Sequence, residues 1–191
     1  MAAVDEWDTH YRRALEGLTP GGTVGGFVAA WYFDAEGPVQ SLVHALKYGG
    51  FTAVGTDFGR VLGERVLEAG YGEADAIVPV PLHPSRLRER GFNQAACIAR
   101  GVSSVTGIPP AGRIVRRTRS THSQTVLAPA ERRANMRDAF RPVPRPAHAA
   151  GMTVLLVDDV VTTGATMCAC AGALRAAGVR SVIACAAALA R

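Results

Sequence analysis

Lysine is almost absent from this chain: Lys47 stands alone among 21 basic residues, and the rest are arginine. Aromatic residues are also few, at 6%. Cysteine occurs four times, as Cys97, Cys168, Cys170 and Cys185, and never as Cys-x-x-Cys. That spacing supports neither a zinc ribbon nor a thioredoxin-type motif, and Cys168 and Cys170, two apart on different helix faces, read as structural thiols. No run reaches the ~18 uninterrupted apolar residues that span a membrane, so no membrane partner is expected. Met1–Asp8 carries acids and no apolar stretch, unlike a secretory leader, so a cytoplasmic protein is expected. There is no internal repeat. No serine, cysteine or histidine stands in a pattern that suggests a nucleophilic triad.

What is present is enough for one ordinary domain. The chain has 191 residues, 48% hydrophobic and 19% charged. Its formal net charge is +5, unevenly spread. Between Arg113 and Arg145 nine arginines face only Glu131 and Asp138, so that stretch carries +7 and the remainder −2. A local basic segment seeks phosphates.

The order of elements reads as alternating strand and helix. Glu6–Leu18 is expected as a short amphipathic helix with Trp7, Tyr11, Leu15 and Leu18 on one side, packing on the domain or on a second copy as a possible homodimer element. Phe27–Phe33 suits a strand, and residues 1–33 form an N-terminal segment ahead of a main domain over 34–191. Val39–Leu46 and Phe51–Ala69 carry helical apolar spacing. Ala76–His83 is a buried strand broken at Pro79 and Pro81, because proline cannot donate in a central ladder. Arg86, Arg88 and Arg90 follow at alternate positions and share a side if that loop is extended; a solvated charged loop is the alternative. Gly91–Val105 is expected helical. Arg113–Arg145 reads as a long hairpin or mobile loop with a short helix near Glu131–Arg137, and long loops inside compact domains often act as lids. A Pro-rich connector over Pro142–His148, a strand, a helix over Ala165–Ala177 and a last strand over Ser181–Leu189 complete an α/β parallel sheet.

One stretch organises the rest. Val154–Val157 is apolar without alternation, as in a strand buried on both faces. Asp158 and Asp159 follow at its end, where ligands gather in open parallel sheets. Thr162, Thr163, Gly164, Ala165 and Thr166 then lead into a helix. Gly164 lets the backbone approach a ligand, and the helix N-terminus favours a phosphate. Singly, each of these residues could cap or solvate a turn. In register, two acceptor carboxylates suit a diol and the donor loop suits a phosphomonoester, so a ribose 5-phosphate satisfies both. The run is neither a Gly-Lys-Ser/Thr phosphate loop nor a Gly-x-Gly-x-x-Gly turn.

These residues resemble the 5-phosphoribosyl-1-pyrophosphate (PRPP) motif of type I phosphoribosyltransferases. Gly37-Pro38, His44–Gly50, Val78–His83, Arg90–Gln94 and the series Thr121, Gln124, Leu127, Arg132, Asn135, Ala139-Phe140 resemble the ComF family, competence-associated relatives of those enzymes. Many members begin with a four-cysteine zinc module, and no cysteine precedes Cys97 here, so that module is expected to be lacking.

The resemblance implies a type I phosphoribosyltransferase-like fold with a small hood and a flexible loop. It implies that Asp158 and Asp159 hold the ribose and act in catalysis, and that Thr162–Thr166 hold the 5-phosphate. Pro81, Leu82, His83, Arg86 and Arg90 would form the pyrophosphate loop. Arg119, Thr121, Gln124, Arg132 and Asn135 would belong to the flexible loop, and Lys47 and Tyr48 to the hood. Magnesium would arrive with PRPP, with no direct protein ligand. The implied activity is phosphoribosyl transfer to an unidentified acceptor, with a PRPP or nucleotide sensor as alternative. A factor whose basic segment contacts single-stranded DNA is a third reading, weakened because Phe140 is that segment's sole aromatic.

Overall fold

The computed structural model describes residues 1–5, 8–19, 22–111, 113–119, 138–144 and 149–191. In chain order these form α1 (Thr9–Leu18), β1 (Gly26–Phe33), α2 (Pro38–Tyr48), α3 (Thr52–Glu68), β2 (Ala76–Pro79), α4 (Pro84–Arg90) and α5 (Gln94–Thr106). Then follow β3 (Val115–Arg117), β4 (Phe140–Pro142), β5 (Thr153–Val161), α6 (Ala165–Ala176) and β6 (Ser181–Ala190).

Four strands make one parallel sheet in the order β1-β6-β5-β2, the α/β architecture expected. Val154, Leu155, Leu156 and Val157 are all fully buried, because both faces of the sheet are covered. On one face α3 and α5 pack over Ile77, Leu155, Val157 and Ile183. The two helices approach so closely that a Cβ on Gly59 would stand 2.0 Å from the Ile98 carbonyl oxygen, and one on Gly101 2.1 Å from that of Thr56. On the other face α6, α1 and the β3–β4 pair cover Val154, Leu156, Val182 and Ala184. Two elements from the first 33 residues take part in this unit: β1 pairs with β6, and α1 packs on α6 and β1.

Three local outcomes differ from the sequence reading. The segment after Pro81 is helical, not extended. His83 caps it, its Nδ1 accepting from the Ser85 N–H, and Pro84 fills the first helical position, where a missing N–H costs nothing. Alternate residues on a helix point about 200° apart, so Arg88 faces away from Arg86 and Arg90, which as i and i+4 keep to one side. Gly91, at φ 78°, ends α4, and α5 starts three residues later than expected, at Gln94 behind the Asn93 cap.

β5 also runs on through both aspartates to Val161, because β6 supplies a long run of fully buried alanines as its partner. The ladder has no bridge in the row Ala30, Ala187 and Asp159. Past that row the sides exchange: Trp31 and Val160 pack with the α3/α5 cluster, and Tyr32 and Val161 with the other.

β3 and β4 pair antiparallel, Arg116 opposite Arg141, and form the base of the expected hairpin. The helix expected near Glu131–Arg137, and Thr121, Gln124, Arg132 and Asn135 with it, lie outside the described residues, as do Trp7 and residues 145–148.

Candidate phosphoribosyl site at the carboxyl end of the sheet

The acid pair sits in the last third of β5 and its two side chains meet different partners. Asp158 Oδ1 accepts the Asp159 N–H at 2.9 Å, and Asp159 Oδ1 accepts the Val160 N–H at 2.7 Å. Asp159 Oδ2 lies 3.0 Å from Lys47 Nζ at the end of α2. Arg117 of β3 stands in electrostatic reach of Asp158. Two cations, from the helix layer on one side and the hairpin on the other, therefore bracket the pair.

Burial first, and then the neighbouring Asp159 charge, push the Asp158 carboxyl up to about 7, against the opposing pull of Lys47 and Arg117. Burial lowers Arg117 while Asp158 raises it. The Cys170 thiol, behind Asp158 on α6, is pushed up by burial and by the Asp158 charge. It is an inert core thiol rather than a nucleophile.

Beyond Val161 the chain turns through Thr162 and Thr163 to Gly164, which adopts φ 73° and precedes α6 without any side-chain cap. The first-turn N–H groups of α6 are thus left for an anion. Leu18 of α1 closes the back of this turn: a Cβ on Gly164 would stand 2.8 Å from Leu18 Cδ2. The Cys168 thiol ties the same helices together through the Leu18 carbonyl at 3.6 Å.

The expected pyrophosphate loop leaves the sheet beside the acids. Val80 N–H donates to the Val157 carbonyl at 2.8 Å, so Pro81, Leu82 and His83 depart next to Asp158. The two arginines of that group part company. Arg86 reaches back to Glu89 at 2.8 Å. Arg90 donates from Nη1 to Gln94 Oε1 at 3.0 Å, and its guanidinium lies 5.3 Å from the Tyr48 ring centroid. Tyr48 in turn lies 4.8 Å from the His44 ring. Lys47 and Tyr48, expected in the hood, therefore connect Asp159 to Arg90. Arg119 is exposed just beyond β3.

Two relationships escape sequence reasoning. Arg117 is one of nine arginines in its stretch, and nothing local marks it as the one facing Asp158. The Lys47 pairing crosses more than a hundred residues of chain; its one available signal was the rarity of lysine. Among the described residues no group of three His, Cys, Asp or Glu side chains offers a metal site. No helix among them is long and apolar enough to cross a membrane.

The phosphoribosyl transferase domain family matches residues 93–191, just over half of the chain, taking in α5, β5, the acid pair, the turn at Gly164 and β6. Competence protein F of Haemophilus influenzae is 37% identical over 108 residues, which are 56% of this chain and 47% of that protein. DNA utilization protein YhgH of Escherichia coli K12 is 35% identical over 138 residues, 70% of this chain and 60% of that protein. The chain thus spans about half to three-fifths of the length of these curated relatives. A solved structure of glutamine PRPP amidotransferase from B. subtilis is 25% identical, covering 69% of this chain and 26% of that one, at a TM-score of 0.45. The chain belongs to the phosphoribosyl transferase domain family, as a homologue of the ComF proteins.

Proposed function

We propose that the protein binds PRPP with Mg²⁺ and transfers its phosphoribosyl group to an acceptor nucleophile, releasing pyrophosphate. One observation carries this reading: the acid pair at the carboxyl end of β5 runs directly into the uncapped turn at Gly164, beside the Pro81–His83 segment leaving β2. A diol receptor, a phosphomonoester receptor and a third, proline-rigid wall would converge there.

Transfer of this kind needs positioning and charge stabilisation more than covalent help. Asp158 and Asp159 would accept the ribose hydroxyls and, when ionised, favour positive charge developing on the ring. The N–H groups and hydroxyls of Thr162–Thr166 would hold the 5-phosphate. Pro81, Leu82 and His83, with Arg86 and Arg90, would face the leaving pyrophosphate. Lys47 and Tyr48 would border the acceptor. Each carboxylate holds a backbone N–H through its Oδ1, and Asp159 Oδ2 also holds Lys47. When bound, Mg²⁺ would neutralise the diphosphate through substrate oxygens and water.

Calorimetric titration with PRPP and Mg²⁺, then with ribose 5-phosphate and with pyrophosphate alone, tests the reading. Intact PRPP should bind more tightly than either fragment, and the Asp158→Asn, Asp159→Asn double variant should lose ribose 5-phosphate while remaining folded. Unchanged affinity in that variant would overturn the assignment. Turnover with candidate amines or bases then separates a transferase from a sensor that uses the same site.

A DNA-handling role, as the names of the relatives suggest, has one observation in its favour: Arg113, Arg116, Arg119 and Arg141 are all exposed at the hairpin base. A titration with single-stranded DNA whose affinity falls steeply with salt would support it.

A further inference from the structure

The turn after β5 poses a problem of support. Its N–H groups serve a phosphate only if no protein group caps them, and Gly164, in the N-cap place, has no side chain to do so. A turn without a polar cap has to be held by packing. That packing comes from α1, 150 residues away in the chain.

Leu18, in the last turn of α1, is fully buried and shares one apolar cluster with Ala165 and Met167 of the first turn of α6. Its Cδ2 and Cγ lie 2.8 and 3.2 Å from the point where a Gly164 Cβ would stand, so the leucine fills the space the glycine leaves behind the turn. Cys168 N–H donates to the Gly164 carbonyl at 2.9 Å and closes the first turn of α6. The thiol of the same residue reaches the Gly17 and Leu18 carbonyls at 3.7 and 3.6 Å. Helix α1 is itself fixed at both ends. Tyr11 stacks on Phe27 of β1 at 5.4 Å between ring centroids and donates its hydroxyl to the Phe27 carbonyl. Thr19 donates its N–H and its hydroxyl to the Leu15 carbonyl, at 3.0 and 2.9 Å, which ends the helix with Leu18 against the turn.

We propose that Leu18 is a positioning residue for the 5-phosphate, an inference that rests on the phosphoribosyl reading of this turn. It touches no ligand. It acts through Gly164, holding it at φ 73° so that the N–H groups beyond it keep one arrangement whether the turn is empty or filled. The N-terminal helix is then a working part of the site and not only a cover for the sheet. The coupling is reciprocal: a phosphate that fixes the turn also fixes the end of α1.

Calorimetric titration of the full chain with ribose 5-phosphate and with pyrophosphate tests this. Leu18→Ala should bind ribose 5-phosphate about tenfold more weakly, part of the roughly hundredfold that a 1 Å misplacement can cost. Its pyrophosphate affinity should be unchanged. Leu18→Met refills the space and should restore most of the loss. Leu62→Ala truncates an equally buried leucine on the opposite face of the sheet. It should melt lower and bind ribose 5-phosphate as the parent does. Hydrogen exchange on the parent reads the coupling without any variant: saturating ribose 5-phosphate should slow exchange at the amides of Leu15–Thr19, and pyrophosphate should not. Leu18→Ala with parental affinity, an equal loss in Leu62→Ala, or α1 amides indifferent to ribose 5-phosphate would each overturn the inference. A parent chain that binds neither ribose 5-phosphate nor inorganic phosphate sinks the phosphoribosyl reading, and this inference with it. A parent that binds, with Leu18 variants that bind equally well, sinks the inference alone.

Discussion

Lys47 Nζ and Asp159 Oδ2 meet at 3.0 Å and join the end of α2 to the carboxyl end of β5. The two side chains are 25% and 13% exposed, so this pair is shielded enough to matter, unlike the surface pairs Arg60–Asp57 and Arg65–Glu68. Lys47→Met keeps the stem of the side chain and removes the charge. It leaves Asp159 without its cation and should cost about 1–3 kcal/mol in urea unfolding, the penalty for stranding a partly buried charged group. Ribose 5-phosphate affinity should fall as well, because Asp159 loses the contact that orients it. A variant with unchanged stability and affinity would show that the pair is incidental.

Asp158 gives a pH signature with a defined direction. Its carboxyl is raised to about 7 in the folded chain by burial and by Asp159, against about 4 unfolded. Between those values the folded chain holds a proton that the unfolded chain has released. Stability therefore falls as pH rises from about 4 to about 7, and this contribution is flat outside that window. Asp158→Asn, neutral at every pH, should remove this slope: its stability relative to the parent should grow across the window and level off above it. Urea midpoints at a series of pH values read this directly. Equal pH profiles for the two proteins would mean that folding leaves the Asp158 carboxyl unshifted.

How much of this was legible before the structure depends on the range of the interaction. The buried strand Val154–Val157, the acid pair and the turn at Gly164 were readable because strand, acids and loop are contiguous and the periodicity is local. The parallel sheet followed from the alternation of elements. Three arginines at alternate positions fit an extended loop and mask helix α4, although the His83 cap followed by Pro84 is a helical start signal. Extending β5 through charged residues required knowing that β6 would lie beside them. The partners of the acids were out of reach for the same reason: Lys47 and Arg117 come from opposite layers, and only the folded sheet brings them to one point.

Gln94 supplies a third expectation. It is 2% exposed, and its Oε1 accepts from Arg90 Nη1 at 3.0 Å, so the Arg90 side chain answers a buried polar group as well as stacking on Tyr48. Arg90→Met should cost about 1–3 kcal/mol because the Gln94 acceptor is left unpaired. Arg90→Lys should recover only part of this, since an ammonium lacks the planar fork that can bond Gln94 while lying over the ring. Both are read as thermal or urea midpoints. Full recovery by lysine would mean that charge alone, and not the fork, is what the site uses.

The turn at Gly164 should be the least tolerant position of the site. Its φ of 73° lies in the left-handed region, where a side chain costs about 1–2 kcal/mol. An added Cβ would also stand 2.8 Å from Leu18 Cδ2, a buried side chain held between α1 and α6. Gly164→Ala must therefore either displace Leu18 or shift the turn, and each option reshapes the N–H groups that precede α6. The expected result is a melting temperature lower by several degrees, about 2–4 °C per kcal/mol for a chain of this size. Ribose 5-phosphate affinity should drop by about tenfold or more, the equivalent of about 1.4 kcal/mol of lost binding. Pyrophosphate affinity should hardly change, because Pro81–His83 belongs to a different strand end. If the variant melts lower yet binds ribose 5-phosphate as before, the turn is a structural joint and the 5-phosphate must be sought elsewhere along the carboxyl edge of the sheet.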